Sequence, residues 1–313
     1  MAETGFLPSM RTLRFRALSR NDILSHETVI AASDASEERG QPPLWGELTK
    51  SEPSRIIALT QLSREKVQAQ CADGTKVVDL RDDVSIEGLL GQGRYLVDIS
   101  GMPHSTWAPI IKILYKNRIH TRVLYSEPVS YRLHTSPASA TLFDLSVRFE
   151  GLAPLPGFAK LSGPEDDEKC VFVALLGFEG DRPERLMLQL DPPPRVIPIV
   201  GVPGFQFEFP AFTISCNRNF LGEYRANGDI RYARASCPFD VLQALSDIRR
   251  DYADHYIYLA PVGTKPHALG AIIFAAANEG ISEVMFDHPV RRGGRTDGVG
   301  LIHIYDFHDF SDV

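Results

Sequence analysis

The chain has 313 residues, 43% of them hydrophobic and 23% charged, enough for a large buried core and for two domains, or one domain with a substantial extra layer. A formal net charge of -7 argues against nonspecific nucleic-acid binding, although it leaves room for a small nucleotide in one local basic pocket. Cys71, Cys170, Cys216 and Cys237 stand far apart without a CxxC pair, so they read as reduced thiols. With no signal-peptide pattern and no apolar run of membrane-span length, the expected location is cytoplasmic and no membrane partner is expected.

Residues 12–18 suit an edge strand whose Arg11, Arg14, Arg16 and Arg20 face solvent, and 31–43 form a polar connection rich in turn residues. Residues 55–60 are a strand candidate, and 66–80 read as a hairpin with Asp73–Gly74 in its turn. Ser85 is placed to cap a short helix over 86–90. Strand 95–100, a helix bearing Ile110, Ile111, Ile113 and Leu114, and strand 121–128 make a β-α-β unit. Ser105 is the expected cap of that helix, and Pro109 its first-turn proline. At the strand-helix turn Asp98, Ser100, His104 and Ser105 form a small polar group. Asp98 there either serves a ligand or orders the turn through backbone N–H groups.

Residues 129–168 are rich in Pro, Gly and Ser and separate two sets of α/β signals, which places a soft boundary near 165. The expectation is an α/β, Rossmann-like chain with two parallel or mixed-sheet modules, 1–165 and 166–313. The second set opens at Cys170 with a buried strand, a Gly177 turn and a short helix with Arg182 and Arg185 accessible. A strand from Arg195 follows, then an amphipathic helix over 237–252 in which Val241, Leu242, Leu245 and Ile248 recur at helical spacing. Asn217 and Asn219 suit either a base edge or a turn.

The most informative stretch is 256–290: an apolar strand, the turn Gly263-Thr264-Lys265-Pro266-His267, an alanine-rich helix and a second strand. Backbone N–H groups, the helix dipole and a lysine at such a turn can converge on an anion; equally, Gly263 makes the turn, Pro266 starts the helix and Lys265 meets solvent. If the strands share a direction, Gly177, Glu179, Arg182, the 201–205 turn, Gly263, Thr264, Lys265 and His267 meet at one crevice, joined by Asp287, His288, Arg291, Arg292 and Arg295 from the polar run 287–298. Glu179 paired with Arg182 at the surface is the plainer alternative. A last strand is expected over 301–307, and His303 and His308 lack zinc-ligand spacing. The full phosphate-loop run is missing, so a classical ATPase is not expected.

On Gly177 and Gly263-Thr264-Lys265 the alternation from 170 to 289 resembles the CRISPR-associated Rossmann-fold (CARF) superfamily. The chain differs from it in the Pro266–His267 continuation and the extra unit at 95–128. The resemblance implies a sensor of a cyclic oligoadenylate or related nucleotide that regulates an effector, and a setting in bacterial antiphage defence. The working reading is a sensor or adaptor with a small phosphate-bearing ligand and an effector or other protein partner, homo-oligomerisation being left open. No cofactor is assured beyond that nucleotide. A phosphate-ester hydrolase or transferase using Asp98 or His267, with magnesium, is the enzyme alternative, and a protein-interaction module without ligand is the third.

Overall fold

The computed structural model describes residues 11–138, 141–160, 164 and 169–307. His308 and residues 161–163 and 165–168 of the connection lie outside the described residues. The chain divides into two compact units, 1–130 with 296–313 and 131–295. The composition shift near 165 therefore falls inside the second unit.

Both units are mixed α/β. In the first, strands Ile56–Gln61, Glu27–Ala32, Arg94–Asp98 and Thr121–Ser126 run parallel at the centre of an eight-stranded sheet. The antiparallel strands Lys66–Cys71 and Gly74–Asp79 extend one side, and Ile302–Phe307 followed by Arg11–Phe15 the other. The final strand expected over 301–307 thus exists, and it joins this first sheet. Leu44, Trp45 and Leu48 of helix Pro43–Ser51 pack on Val29, Leu96, Leu124 and Ile304, which share one sheet face.

Three local readings change. Asp82, not Ser85, caps helix Asp83–Glu87 through the Val84 amide. Ser105 lies inside helix His104–Lys116, whose N-cap is Pro103, and its hydroxyl accepts from Gln61. Pro109 sits within that helix, tolerated in a segment buried from His104 to Leu114 where packing outweighs one lost backbone bond.

The second unit carries a five-stranded, all-parallel sheet in the order Arg231–Ala233, Arg195–Gly201, Lys169–Leu175, His255–Pro261, Ser282–Val284. The interior parallel strand and following helix expected from Tyr256 onward are present, the helix spanning Lys265–Ala277. Side chains alternate across the strands: Phe172, Ala174 and Leu176 face Leu186, Met187, Phe220 and Leu221. The face bearing Val171, Val173 and Leu175 is left for helices Pro238–Asp251 and Lys265–Ala277, which pack on one another. Strand Lys169–Leu175 is followed outward by two strands on one side; the chain then returns to its other side at His255–Pro261. The switch point of the sheet lies between those two strands, beyond Leu175 and Pro261.

That switch point is closed by backbone. A Cβ on Gly263 would lie 2.5 Å from the Leu176 carbonyl, and one on Gly177 would lie 2.8 Å from the Val262 carbonyl, so the two turns touch only because both residues lack side chains. The first unit repeats the device, since a Cβ on Gly40 would lie 2.5 Å from Gly101 Cα. The stretches 94–129 and 255–290 have equal length, and at a constant offset match Tyr95 with Tyr256, Val123 with Val284 and Pro128 with Pro289. Asn117 and Asn278, also matched, each close the helix of their stretch.

Gly263→Ala is expected to destabilise the protein by about 2–4 kcal/mol, because backbone must move to admit the methyl group. Gly46→Ala, on an exposed helix position with nothing within 4 Å of the new atom, is expected to stabilise by about 0.5–1 kcal/mol. Thermal unfolding of the two variants checks the contrast; equal effects would remove the close approach as a constraint.

Candidate functional site

Arg182 is the first residue of the candidate set to be relocated by the structure. Expected to be accessible, it is wholly buried in helix Asp181–Met187. A guanidinium in that position needs full pairing. Asp287 supplies it, accepting from Nη2 at 2.6 Å and from Nε at 2.9 Å, while Nη1 donates to the Val262 carbonyl at 3.2 Å. Burial works against its charge, yet Asp287 and Glu179 hold its pKa above the ordinary arginine value. Phe286 lies under the guanidinium, 5.5 Å from it.

Glu179 does pair with Arg182, at 3.4 Å, but in the interior rather than at the surface. It is shared with Arg291, whose Nη1 donates to Glu179 Oε2 at 2.9 Å and to Ser146 Oγ at 3.2 Å. Burial opposes the Glu179 charge, and Arg291 and Arg182 together bring its pKa below the ordinary value. Burial pushes Arg291 down to about 10 against the pull of Glu179, with Arg295 and Arg182 adding repulsion. Arg292 donates to Asp144 at 2.7 Å. Arg182, Arg291 and Arg292 are thus each paired with a carboxylate, Asp287, Glu179 and Asp144 in turn, and Arg295 stands close enough to Arg291 to repel it. Arg291 and Arg292 remain 28% and 37% exposed, so both of these ion pairs reach solvent.

Aromatic rings back the two acids. Phe178 precedes Glu179 and Phe143 precedes Asp144, and the two rings stack at 4.4 Å with an interplanar angle of 21°. Tyr131 and Phe209 pack edge-on against Phe178. This cluster went unread in the sequence because its members lie in four separate segments. Asn217, also left open, is buried, with Nδ2 donating to the Gly177 carbonyl at 2.7 Å and to the Thr213 carbonyl at 2.8 Å. Its amide nitrogen supports the turn.

The remaining candidates go elsewhere. Gly263 joins Gly177 at the closed switch point, but Thr264 and His267 turn to the segment after Arg231–Ala233. Thr264 Oγ1 donates to the Ala235 carbonyl at 2.8 Å, caps the helix at the His267 amide, and precedes the partly buried Lys265. His267 is buried, with Nε2 3.0 Å from the Arg234 carbonyl, so the ring proton sits on Nε2 and Nδ1 has no hydrogen-bond partner. Burial pushes its pKa down to about 4, which keeps the ring neutral at pH 7. Asp98 belongs to the first unit, where it is buried and accepts from Trp45 Nε1 at 2.8 Å and from the Ser100 amide at 2.9 Å. It orders the turn after its strand. His303 lies in the first unit, where its ring Nε2 donates to Glu127 Oε1 at 2.6 Å.

No family model matches the chain, and no curated protein matches it. No helix among the described residues is long and apolar enough to cross a membrane.

The neutral His267 carries a pH signature. The unfolded ring titrates near 6.5 and the folded one at about 4, so between these values the unfolded chain binds the extra proton. Its contribution is complete above 6.5 and declines as pH falls toward 4. The full contribution is about 3 kcal/mol. Denaturant unfolding at pH 7 and pH 4.5 is expected to show a smaller acid loss in His267→Gln than in the wild type; equal losses would contradict a buried neutral ring.

Proposed function

We propose that the second unit binds a small phosphate-bearing molecule, a nucleotide or another phosphate ester, at the carboxyl edge of its parallel sheet and acts as a sensor or adaptor for a protein partner. The observation that carries this reading is the gathering of Arg291 and Arg292, both partly open to solvent, beside the buried Arg182 in a chain of net charge -7. Guanidiniums match phosphate oxygens in a planar, two-point geometry and hold their charge when partly dried. The closed approach of Gly177 and Gly263 keeps the ligand outside the strand ends, against the arginines, instead of between the two strands. Lys265, at the start of the long helix beyond the same turn, adds a further cation on that edge.

Binding without turnover is favoured over hydrolysis or transfer. Of the two groups nominated for proton transfer, His267 is neutral and committed to the Arg234 carbonyl, and Asp98 is committed to Trp45 and Ser100 in the other unit. Neither is an accessible base at the strand ends of the second unit: His267 is buried, and Asp98 belongs to the other unit.

The test is a binding screen of nucleotides, cyclic oligonucleotides and sugar phosphates against the wild type, Arg291→Ala and Lys265→Ala. Arg291→Ala is expected to weaken the best binder by about 10- to 100-fold, and Lys265→Ala by less. Saturable binding unchanged by Arg291→Ala would reject the site. Chromatography after incubation with magnesium is expected to recover the ligand intact, and turnover abolished by His267→Ala in a folded protein would establish the enzyme instead.

A further inference from the structure

Among the described residues of the second unit, two short strands, Ser146–Phe149 and Pro289–Arg291, pair only with each other and form an antiparallel ribbon outside the parallel sheet. The ion partners of the two partly exposed arginines differ in where they are anchored. Arg292 pairs with Asp144, just before the ribbon's first strand, and the Arg292 amide donates to the Leu145 carbonyl, so these groups travel with the ribbon. Arg291 pairs with Glu179, in the turn that follows the central strand Lys169–Leu175. The Glu179–Arg291 pair therefore ties ribbon to sheet. Further ties are the hydrogen bond of Ser146 to Glu179 and the positions of Arg185 and Arg182 over Phe149, 4.9 and 5.9 Å from the ring.

We infer that Glu179 is a built-in competitor for the ligand anion at Arg291, so that binding an anion there releases the ribbon from the sheet. This rests on the phosphate-binding reading above. Three features make the exchange feasible. Glu179 keeps a cation after Arg291 leaves it, because Arg182 stands at 3.4 Å and is itself fixed by two contacts to Asp287. No buried carboxylate is stranded by the exchange. The joint is strained as well: His288, between the anchored Asp287 and the ribbon, holds φ at 45°, a left-handed conformation that a histidine adopts at a cost. Its Nε2 is bonded to the Ala153 carbonyl at 2.9 Å, so the strain is maintained by the neighbouring chain and can relax when the ribbon moves. Finally, Val147 on the ribbon is 54% exposed, which gives the released element an apolar residue to offer a partner.

Inorganic pyrophosphate is a suitable probe, titrated into the intact wild type, Glu179→Gln and Arg291→Ala. Removing the competitor in Glu179→Gln is expected to tighten pyrophosphate binding by about five- to tenfold, whereas Arg291→Ala weakens it. In the wild type, saturating pyrophosphate is expected to speed amide exchange in 146–150 about tenfold while 169–175 and 255–261 stay unchanged. This second measurement needs no variant and decides the matter should Glu179→Gln fail to fold. Binding lost in Arg291→Ala but no tighter in Glu179→Gln, or slower exchange in the ribbon, would overturn the competition and leave the binding site standing. No binding by any form would overturn both.

Discussion

The buried ion pair between Arg182 and Asp287 is the interaction on which the candidate site depends. It joins the helix after the first strand of the parallel sheet to the segment after the last, and through Nη1 it also holds the carbonyl beyond the fourth. Removing one member of such a pair strands a charge in the interior, at a cost of about 3–5 kcal/mol. With Arg182 fixed, Glu179 is held where it meets Arg291, and the ribbon is held where Arg291 and Arg292 face solvent. The exposed cations are thus positioned by a buried one.

The same plan is used twice with different electrostatics. In the first unit Arg39 is also buried after the first parallel strand, pairs with Glu37 at 2.7 Å and donates to the strand-end carbonyl of Ser126 at 2.9 Å. There the partly buried Glu37 is its carboxylate partner, and the buried acids Asp98 and Glu127 of the same unit are engaged by Trp45 and His303. In the second unit three arginines, two of them partly open to solvent, gather at the corresponding strand ends, and the anion site is proposed there. Glycine pairs close both switch points, so in neither unit is the gap between the two central strands free for a ligand.

Much of the fold was legible because it is written in local pattern. The run from Tyr256 to Ala260, the Gly263 turn and the alanine-rich helix each carry their own signal, and the hairpin over 66–80 is present, with Ala72 and Asp73 at its tip and Gly74 already in the second strand at φ 123°. What failed were statements about partners distant in sequence. Arg182 and Arg185 stand on a short helix three residues apart, and nothing local distinguishes the buried one from the exposed one; Asp287, more than a hundred residues on, does so. His267 looked like a ligand group because it follows a Gly-Thr-Lys turn, whereas Arg234 sets its direction. The constant-offset match of 94–129 with 255–290 was present in the sequence as a weak internal repeat, too sparse to see before the two helices and their closing asparagines were superposed in kind.

In the proposed mode of binding the solvent-open arginines, and not the buried one, receive the anion. Arginine side-chain NMR during a titration with inorganic pyrophosphate measures this directly. Saturable shifts of the Arg291 and Arg292 Nε–H signals with the Arg182 Nε–H signal unmoved are the predicted result; an unmoved Arg291, or a shift centred on Arg182, would contradict the account.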